Sequence, residues 1–190
     1  MPQKKFGPFV ATAAFVLALG TSAVAEAQVV PGRPVTMNIV EIAAAVNQSS
    51  GEFDYLLSAA TCPYFEGAIV ELLSGDDRYT LFAPTDAAFE ALQRGLGVAE
   101  PGPAVTCTLP QATVFNILAY HVTEGRRFTN SVFGRRSVKM IPMLNGQYIA
   151  TNPDLTIEDN SGQTVRPVLP LVDINASNGV IHVIDTVLLP

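Results

Sequence analysis

The sequence predicts an α+β domain in which helices come first and strands follow. From Ile39 onward, apolar residues recur at the three- and four-residue spacing of amphipathic helices. After Gly125 the pattern changes to short apolar runs separated by turn residues, as in a chain of short strands. A long β-branched run from Val180 to Leu189 then indicates a closing strand buried in the core. Elements segregated in this order favour separate layers of helices and sheets.

The start of the chain has the pattern of a secretory signal peptide over residues 1–27. Two lysines precede an apolar segment over residues 9–19, and small residues then offer cleavage sites. That segment is too short to span a bilayer comfortably, and no second apolar run of membrane length follows. We therefore predict an exported protein, extracellular or periplasmic and without stable membrane insertion. A Pro-rich lead-in over residues 28–35 precedes one domain over residues 36–190.

The charge and the cysteine content indicate which partners and which compartment are compatible with the sequence. The formal net charge is −6, and removing the leader, with two of the 11 basic and one of the 17 acidic side chains, makes it −7. This acidity argues against nucleic acid as a partner. Cys62 and Cys107 are the only cysteines. In an oxidising compartment they predict one disulfide. Metal binding or thiol catalysis is disfavoured, because neither cysteine lies in a CxxC motif or near a His.

Three helices are predicted before the first strand. The first begins after Asn38 or Thr36, either of which can cap it. The second covers residues 53–60 and ends before Pro63, which cannot continue a helix. The third begins at Tyr64 or Phe65, runs to Leu73, and stops at Ser74-Gly75-Asp76.

The middle of the chain predicts a strand, a helix, a loop and a second helix. The strand covers residues 79–83, and Thr85 caps the helix that follows it. A loop rich in Gly and Pro over residues 94–109 carries Cys107, so the disulfide would attach this loop to the second helix. Pro110 begins a helix over residues 111–122 that is apolar nearly all round, which predicts burial of most of its surface.

Six short strands are predicted in the second half of the chain. Turn residues such as Asn145-Gly146, Ser161-Gly162 and Asn178-Gly179 separate them. The strands cover residues 138–141, 147–150, 155–158, 164–168 and 172–175, followed by the closing strand after Gly179.

Three segments resemble the conserved boxes of fasciclin (FAS1) domains and occur in that family's order. They are TLFAPTDAAF at residues 80–89, LAYHVTEG at residues 118–125, and residues 178–190. The resemblance implies a wedge of two β-sheets flanked by helices. It also implies a secreted or surface-attached protein for cell adhesion or matrix association, whose partner is a surface or matrix glycan or a protein. The loop over residues 94–109 is longer than such a domain needs.

The resemblance makes Tyr120 and His121 the first candidates for an adhesion contact. His121, however, shares one helical face with Val114 and Leu118, which favours a buried, hydrogen-bonded imidazole. Tyr120 lies off that face and is expected to be more exposed. His182 lies mid-strand and is also expected in the core.

Two carboxylates are predicted to accompany these histidines. We expect His121, His182, Asp86 and Asp185 to form one internal polar network that holds the strands in register.

A basic cluster provides a second candidate site. Five cations lie within residues 126–139, where there is no acidic residue: Arg126, Arg127, Arg135, Arg136 and Lys139. Such a patch on an acidic protein suits an anionic polysaccharide, a sulfated glycan or acidic lipid headgroups. The alternative is a set of solvated loop cations that pair with nearby Asp and Glu.

Apolar side chains are interleaved with these cations, namely Phe128, Phe133, Met140 and Met143. They are either core residues or, if several are exposed, an adaptable apolar patch. The resemblance extends to fasciclin-like carotenoid carriers, so a soluble carrier of an apolar ligand such as a carotenoid is the second functional hypothesis.

The sequence predicts no catalytic residue, metal site or cofactor. Nucleophile elbows, zinc-protease motifs and phosphate-binding glycine loops are missing, and the two histidines have no nearby carboxylate cluster. The favoured function is non-catalytic adhesion or surface association.

Overall fold

The computed structural model describes residues 35–190. The predicted signal peptide, residues 1–27, and all but the last residue of the predicted lead-in lie outside the described residues. In the part that is described, no helix is both long enough and apolar enough to cross a membrane.

The first two helices confirm the periodicity of the sequence. Helix α1 spans Ile39–Ser50, and Asn38 caps it in a reciprocal pair of hydrogen bonds with Glu41. Gly51 ends α1 in the left-handed conformation, at φ 72°. Helix α2 follows at Asp54–Ala60.

The predicted third helix is divided in two. A 3₁₀ turn occupies Pro63–Phe65, and helix α3 spans Ala68–Ser74. Glu66 and Gly67 lie between them with φ values of 52° and 84°, which are incompatible with a continuous right-handed helix.

The disulfide attaches the long loop that carries Cys107 to the end of α2. Strand β1 (Tyr79–Pro84) leads to helix α4 (Asp86–Gly95), whose cap Thr85 accepts from the Ala88 amide. The loop beyond α4 contains a 3₁₀ helix at Pro103–Thr108 that the sequence did not predict. The predicted Cys62–Cys107 disulfide is present and joins this turn to the end of α2.

Helix α5 is shorter and more exposed than predicted. It spans Gln111–Ala119, and the chain then enters strand β2 (Val122–Glu124), which pairs with β1. Phe115 is 50% exposed, so the prediction of near-complete burial was wrong. The helix ends at Ala119 because the following residues turn back toward the sheet, where Val122 pairs with Leu81.

The second half contains one short helix and six strands. Helix α6 (Thr129–Val132), which was not predicted, precedes the strands. Their bounds are β3 Lys139–Pro142, β4 Tyr148–Thr151, β5 Ile157–Glu158, β6 Thr164–Val165, β7 Ile174–Ala176 and β8 Gly179–Ile184. The closing strand therefore ends at Ile184, whereas the apolar run in the sequence continues to Leu189.

The strands form two four-stranded sheets, which confirms the predicted α+β class. The first sheet has the order β2-β1-β8-β7, and the second has the order β3-β4-β5-β6. Strand β8 pairs parallel with β1, from Tyr79↔Gly179 to Pro84↔Ile184, and antiparallel with β7. Gly179 is required at this start, because a Cβ there would collide with the Tyr79 carbonyl and the Ile39 side chain.

Two apolar clusters share strands β1 and β8. The larger cluster packs the helices against one face of the first sheet and includes Leu81, Ile181 and Val183. The smaller cluster contains Phe82 and Ile184, together with residues of the second sheet. Successive side chains of a strand point to opposite faces, so each of these strands serves both clusters.

The side chain of Asn178 joins the start of β8 to the helical layer. Its carbonyl accepts from the Ile39 amide, and its amide donates to the carbonyls of Leu73 and Gly75. Asn178 therefore connects the beginning of α1, the end of α3 and the turn before β8.

Replacing Asn178 with Ala should lower the free energy of unfolding by about 2–4 kcal/mol, because it leaves buried backbone groups without partners. Urea denaturation measures this change. The control is Asn130→Ala, at an exposed position, with an expected change within about 0.5 kcal/mol. Equal stabilities of the two variants would contradict the assigned role.

Deleting residues 180–190 should abolish cooperative folding, because it removes the strand common to both apolar clusters. Circular dichroism during heating and amide NMR dispersion test this. A truncated protein that keeps a cooperative transition would show that β8 is dispensable.

Candidate functional site

Tyr120 is a core residue and is unavailable to a partner. Its exposed fraction is 0%, which overturns its predicted exposure. The phenol donates to the Tyr148 carbonyl at 2.8 Å and accepts from the Asn160 amide at 3.2 Å. Tyr120 directly follows α5 and keeps a helical backbone conformation, but its ring packs in the smaller cluster instead of facing solvent.

His121 is also buried, as its helical spacing predicted, and its ring makes two hydrogen bonds. Nδ1 lies 2.7 Å from the Ile117 carbonyl, and Nε2 accepts from the Leu188 amide at 2.9 Å. This pattern requires a neutral ring with the proton on Nδ1. Burial lowers the pKa of His121 to about 4, although the Ile117 hydrogen bond and the Asp159 carboxylate oppose that shift.

His182 is likewise buried and neutral, in the opposite tautomer. Nε2 donates to the Arg127 carbonyl at 2.8 Å, and Nδ1 accepts from the Asp173 amide at 3.3 Å. Burial lowers the pKa of His182, against the Arg127 hydrogen bond and the Asp173 carboxylate. The imidazole thus attaches the segment after β2 and the segment before β7 to β8.

The predicted single network of two histidines and two aspartates was wrong. Asp86 accepts from the amides of Asp54 and Tyr55 at the start of α2, and Asp185 accepts from the Arg166 amide. Neither carboxylate bonds to a histidine. A different carboxylate, Asp159, is buried near the chain end and accepts from the Leu189 amide at 2.9 Å.

The five cations of the basic cluster, hereafter the basic face, lie on and beside the segment between β2 and β3. Arg135 and Arg136 are exposed, whereas Arg126, Arg127 and Lys139 are half-buried. The half-buried ones bond to uncharged groups. Arg126 donates to Asn175 Oδ1, Arg127 Nε donates to the Glu124 carbonyl, and Lys139 Nζ donates to the Ser131 carbonyl.

None of these five cations has a carboxylate within ion-pairing distance in the described part of the chain. Over residues 35–190, Arg94 with Glu90 is the ion pair in which both partners are charged. His182 Nδ1 lies 3.8 Å from Asp173 Oδ1, but its ring is neutral. The alternative interpretation, in which neighbouring Asp and Glu neutralise the cluster, therefore lacks support from its contacts. Arg135 and Arg136 are the two members of the basic face that are exposed.

An open groove of about 520 Å³ runs beside the basic face. Its lining includes Phe128, Asn130, Arg135, Leu155 and Asp173. Phe128 is 37% exposed, and the Arg126 guanidinium carbon lies 5.9 Å from the centre of its ring. The groove therefore presents an aromatic surface next to two cations.

The four apolar candidates separate into two pairs and do not form one patch. Phe133 and Met143 belong to the smaller core cluster. Phe128 and Met140 are exposed, Met140 by 61%. The predicted apolar-ligand site over all four residues is therefore wrong, because two of them fill the space between the strands.

Sequence reasoning missed Asp173 and Thr129. Asp173 adopts a left-handed conformation at φ 57° and accepts from the Thr129 amide at 2.6 Å. It thereby holds the start of α6 against β7. Thr129 Oγ1 is buried without a hydrogen-bond partner among the described residues. No sequence motif marks either residue, because their pairing spans 44 positions.

Comparisons with known proteins agree with this fold. The profile of the fasciclin domain family matches residues 64–190. The chain is 34% identical to the uncharacterized protein sll1735 of Synechocystis, with 80% of this chain and 97% of that protein covered. It is 31% identical to protein sll1483 of the same organism, with 96% and 94% covered. The chain belongs to the fasciclin domain family.

Animal proteins share the domain over a smaller part of their length. Human periostin is 33% identical over 64% of this chain and 13% of its own length. A solved FAS1 domain pair from the insect cell adhesion molecule fasciclin I matches with a TM-score of 0.59 and 16% identity. That match covers 81% of this chain and 51% of the domain pair, so the chain spans about half of that structure.

The depressed pKa of His121 makes folding stability depend on pH. Its folded pKa of about 4 lies below the usual 6.5, so the unfolded chain binds more protons between these values. The contribution of the neutral His121 ring to folding stability is complete above pH 6.5. It is lost as pH falls toward 4, and the total loss is about 3 kcal/mol. His182, whose pKa is also lowered, acts in the same direction.

Urea denaturation at several pH values between 7 and 4 measures this loss. In the His121→Gln variant the pH dependence should be smaller than in the unmodified protein. An identical dependence in both proteins would show that other groups cause it.

Proposed function

We propose that this fasciclin domain mediates adhesion or surface association without catalysis, by binding an anionic glycan through the basic face. The observation that carries the proposal is that the five cations have no carboxylate partners among the described residues. A bound sulfate or uronate group would supply the missing negative charge.

The position of the cations supports this proposal. Arg135 and Arg136 are exposed beside the groove, and charged groups free of partners bind an anion without first breaking an ion pair. The net charge of −7 that remains without the predicted leader repels polyanions from the rest of the surface, which favours attachment in one orientation.

The shape and chemistry of the groove suit a saccharide. Phe128 offers an apolar ring face, and the side chains of Asn130 and Asp173 provide an amide and a carboxylate that can bond to hydroxyl groups. An acidic lipid headgroup carries fewer hydroxyl groups than a glycan chain, so it would use these side chains less fully. We therefore favour a glycan as the partner over a membrane surface.

The proposed compartment is outside the cytoplasm, with residues 1–27 acting as the export signal and residues 36–190 as the functional domain. The Cys62–Cys107 disulfide supports this placement, since such bonds persist in oxidising compartments. The name of the solved relative, an insect cell adhesion molecule, supports adhesion as the role.

Isothermal titration with a heparin oligosaccharide at low salt tests the proposal. Arg135→Glu should weaken binding by about tenfold, because it removes an attraction and adds a repulsion. The double variant Arg135→Glu/Arg136→Glu should weaken binding further. Added salt should also weaken binding by the unmodified protein, because salt screens the charges.

The matched control is Arg94→Glu, which makes the same charge change on α4, where Arg94 pairs with Glu90. Its affinity should stay within about twofold of the unmodified protein, because Arg94 is not part of the basic face and does not line the groove. Equal weakening by Arg94→Glu and Arg135→Glu would indicate an effect of net charge alone. Absence of binding by the unmodified protein would refute the proposal for this glycan class.

A further inference from the structure

A separate cavity lies under the helical layer, away from the basic face. It has a volume of about 260 Å³, is partly open to solvent, and is lined by residues of α1, α2, α3, α5 and the first sheet. Its lining includes Ala43, Leu57, Ala60, Leu72 and Phe115, and it contains no Asp, Glu, Lys or Arg.

The two polar side chains of the lining, Tyr79 and His121, offer little to a polar ligand. Both ring nitrogens of His121 are already bonded to Ile117 and Leu188, so the imidazole presents only ring carbons to the cavity. Tyr79 is largely buried, and burial raises the pKa of its phenol, which therefore stays uncharged. The cavity thus has no charge with which to recognise an ion.

An unfilled apolar pocket of this size is unfavourable. The side chains that line it expose apolar surface to solvent and lack dispersion contacts on that side. Water does not compensate, because an ordered water needs two or more polar partners. An apolar ligand would restore the missing contacts.

The cavity has an apolar entrance on the outer surface of the helices. Leu72 on α3 is 40% exposed and Phe115 on α5 is 50% exposed, and both line the cavity. Exposed large apolar side chains at the rim of an apolar cavity mark a route for a ligand from solvent.

The volume limits the size of the ligand. A dry cavity of about 150 Å³ holds benzene, and pockets for drug-sized ligands begin at about 300 Å³. We propose that this cavity binds a neutral apolar molecule of roughly ten carbon atoms, scaled from the benzene case. It is far too small to enclose a full-length carotenoid.

Titration of the purified protein with n-butylbenzene, a neutral hydrocarbon of the proposed size, tests this site. Calorimetry should show saturable binding at one site. In NMR spectra the methyl groups of Leu57, Leu72 and Leu118 should shift, whereas those of Met140 should not.

The variant Ala60→Phe should weaken binding by about tenfold or more, because the new ring occupies the cavity. The matched control, Ala45→Phe, makes the same change at an exposed position of α1 that does not line the cavity. It should leave the affinity within about twofold.

Lack of saturable binding by the folded protein, or equal affinities of Ala60→Phe and Ala45→Phe, would overturn the proposal. If Ala60→Phe does not fold, the methyl shifts of the unmodified protein test the site. Shifts confined to Met140 would show that the ligand binds outside the cavity and would overturn the proposal. Heparin binding by Ala45→Phe and by the unmodified protein is independent of the cavity, so failure of this site leaves the glycan proposal intact.

Discussion

The parallel pairing of β8 with β1 is the constraint on which the other elements depend. All six residues of each strand are buried, and their register runs unbroken from Tyr79↔Gly179 to Pro84↔Ile184. Strand β8 is also the last strand of the chain, so it joins residues that are about a hundred positions apart. Because successive side chains alternate between faces, this pair supports the helical layer on one side and the smaller cluster on the other.

Neutral, buried polar side chains then attach the remaining segments to this pair. His121 binds the end of the chain through the Leu188 amide, and His182 binds the loop after β2 through the Arg127 carbonyl. Asn178 attaches the helices. Each of these groups satisfies a backbone group that would otherwise be buried without a partner. The residues that make the chain resemble its family are therefore mainly structural, which explains why Tyr120 and His121 are unavailable to a partner.

The surfaces that remain free for binding lie in segments that the fold constrains less. The basic face follows β2 on a segment that is held by Asp173 and His182, and Arg135 and Arg136 are exposed on it. The apolar cavity lies on the other side of the first sheet, under the helices. The two proposed sites therefore differ in chemistry, since one is charged and the other is apolar.

Local sequence by itself determined the fold class, the first two helices, the disulfide and the burial of both histidines. The helices and the burial of the histidines follow from periodicity and capping residues within a few positions. The fold class follows from the order of the helical and strand patterns, and the disulfide follows from the presence of only two cysteines. Only the tertiary structure decided the end of α5, the burial of Tyr120, the separation of Phe133 and Met143 from Phe128 and Met140, and the cavity. The reason is physical. Each depends on contacts between distant residues, such as Tyr120 with Tyr148 across 28 positions or Val122 with Leu81 in the first sheet, and such contacts override local propensity.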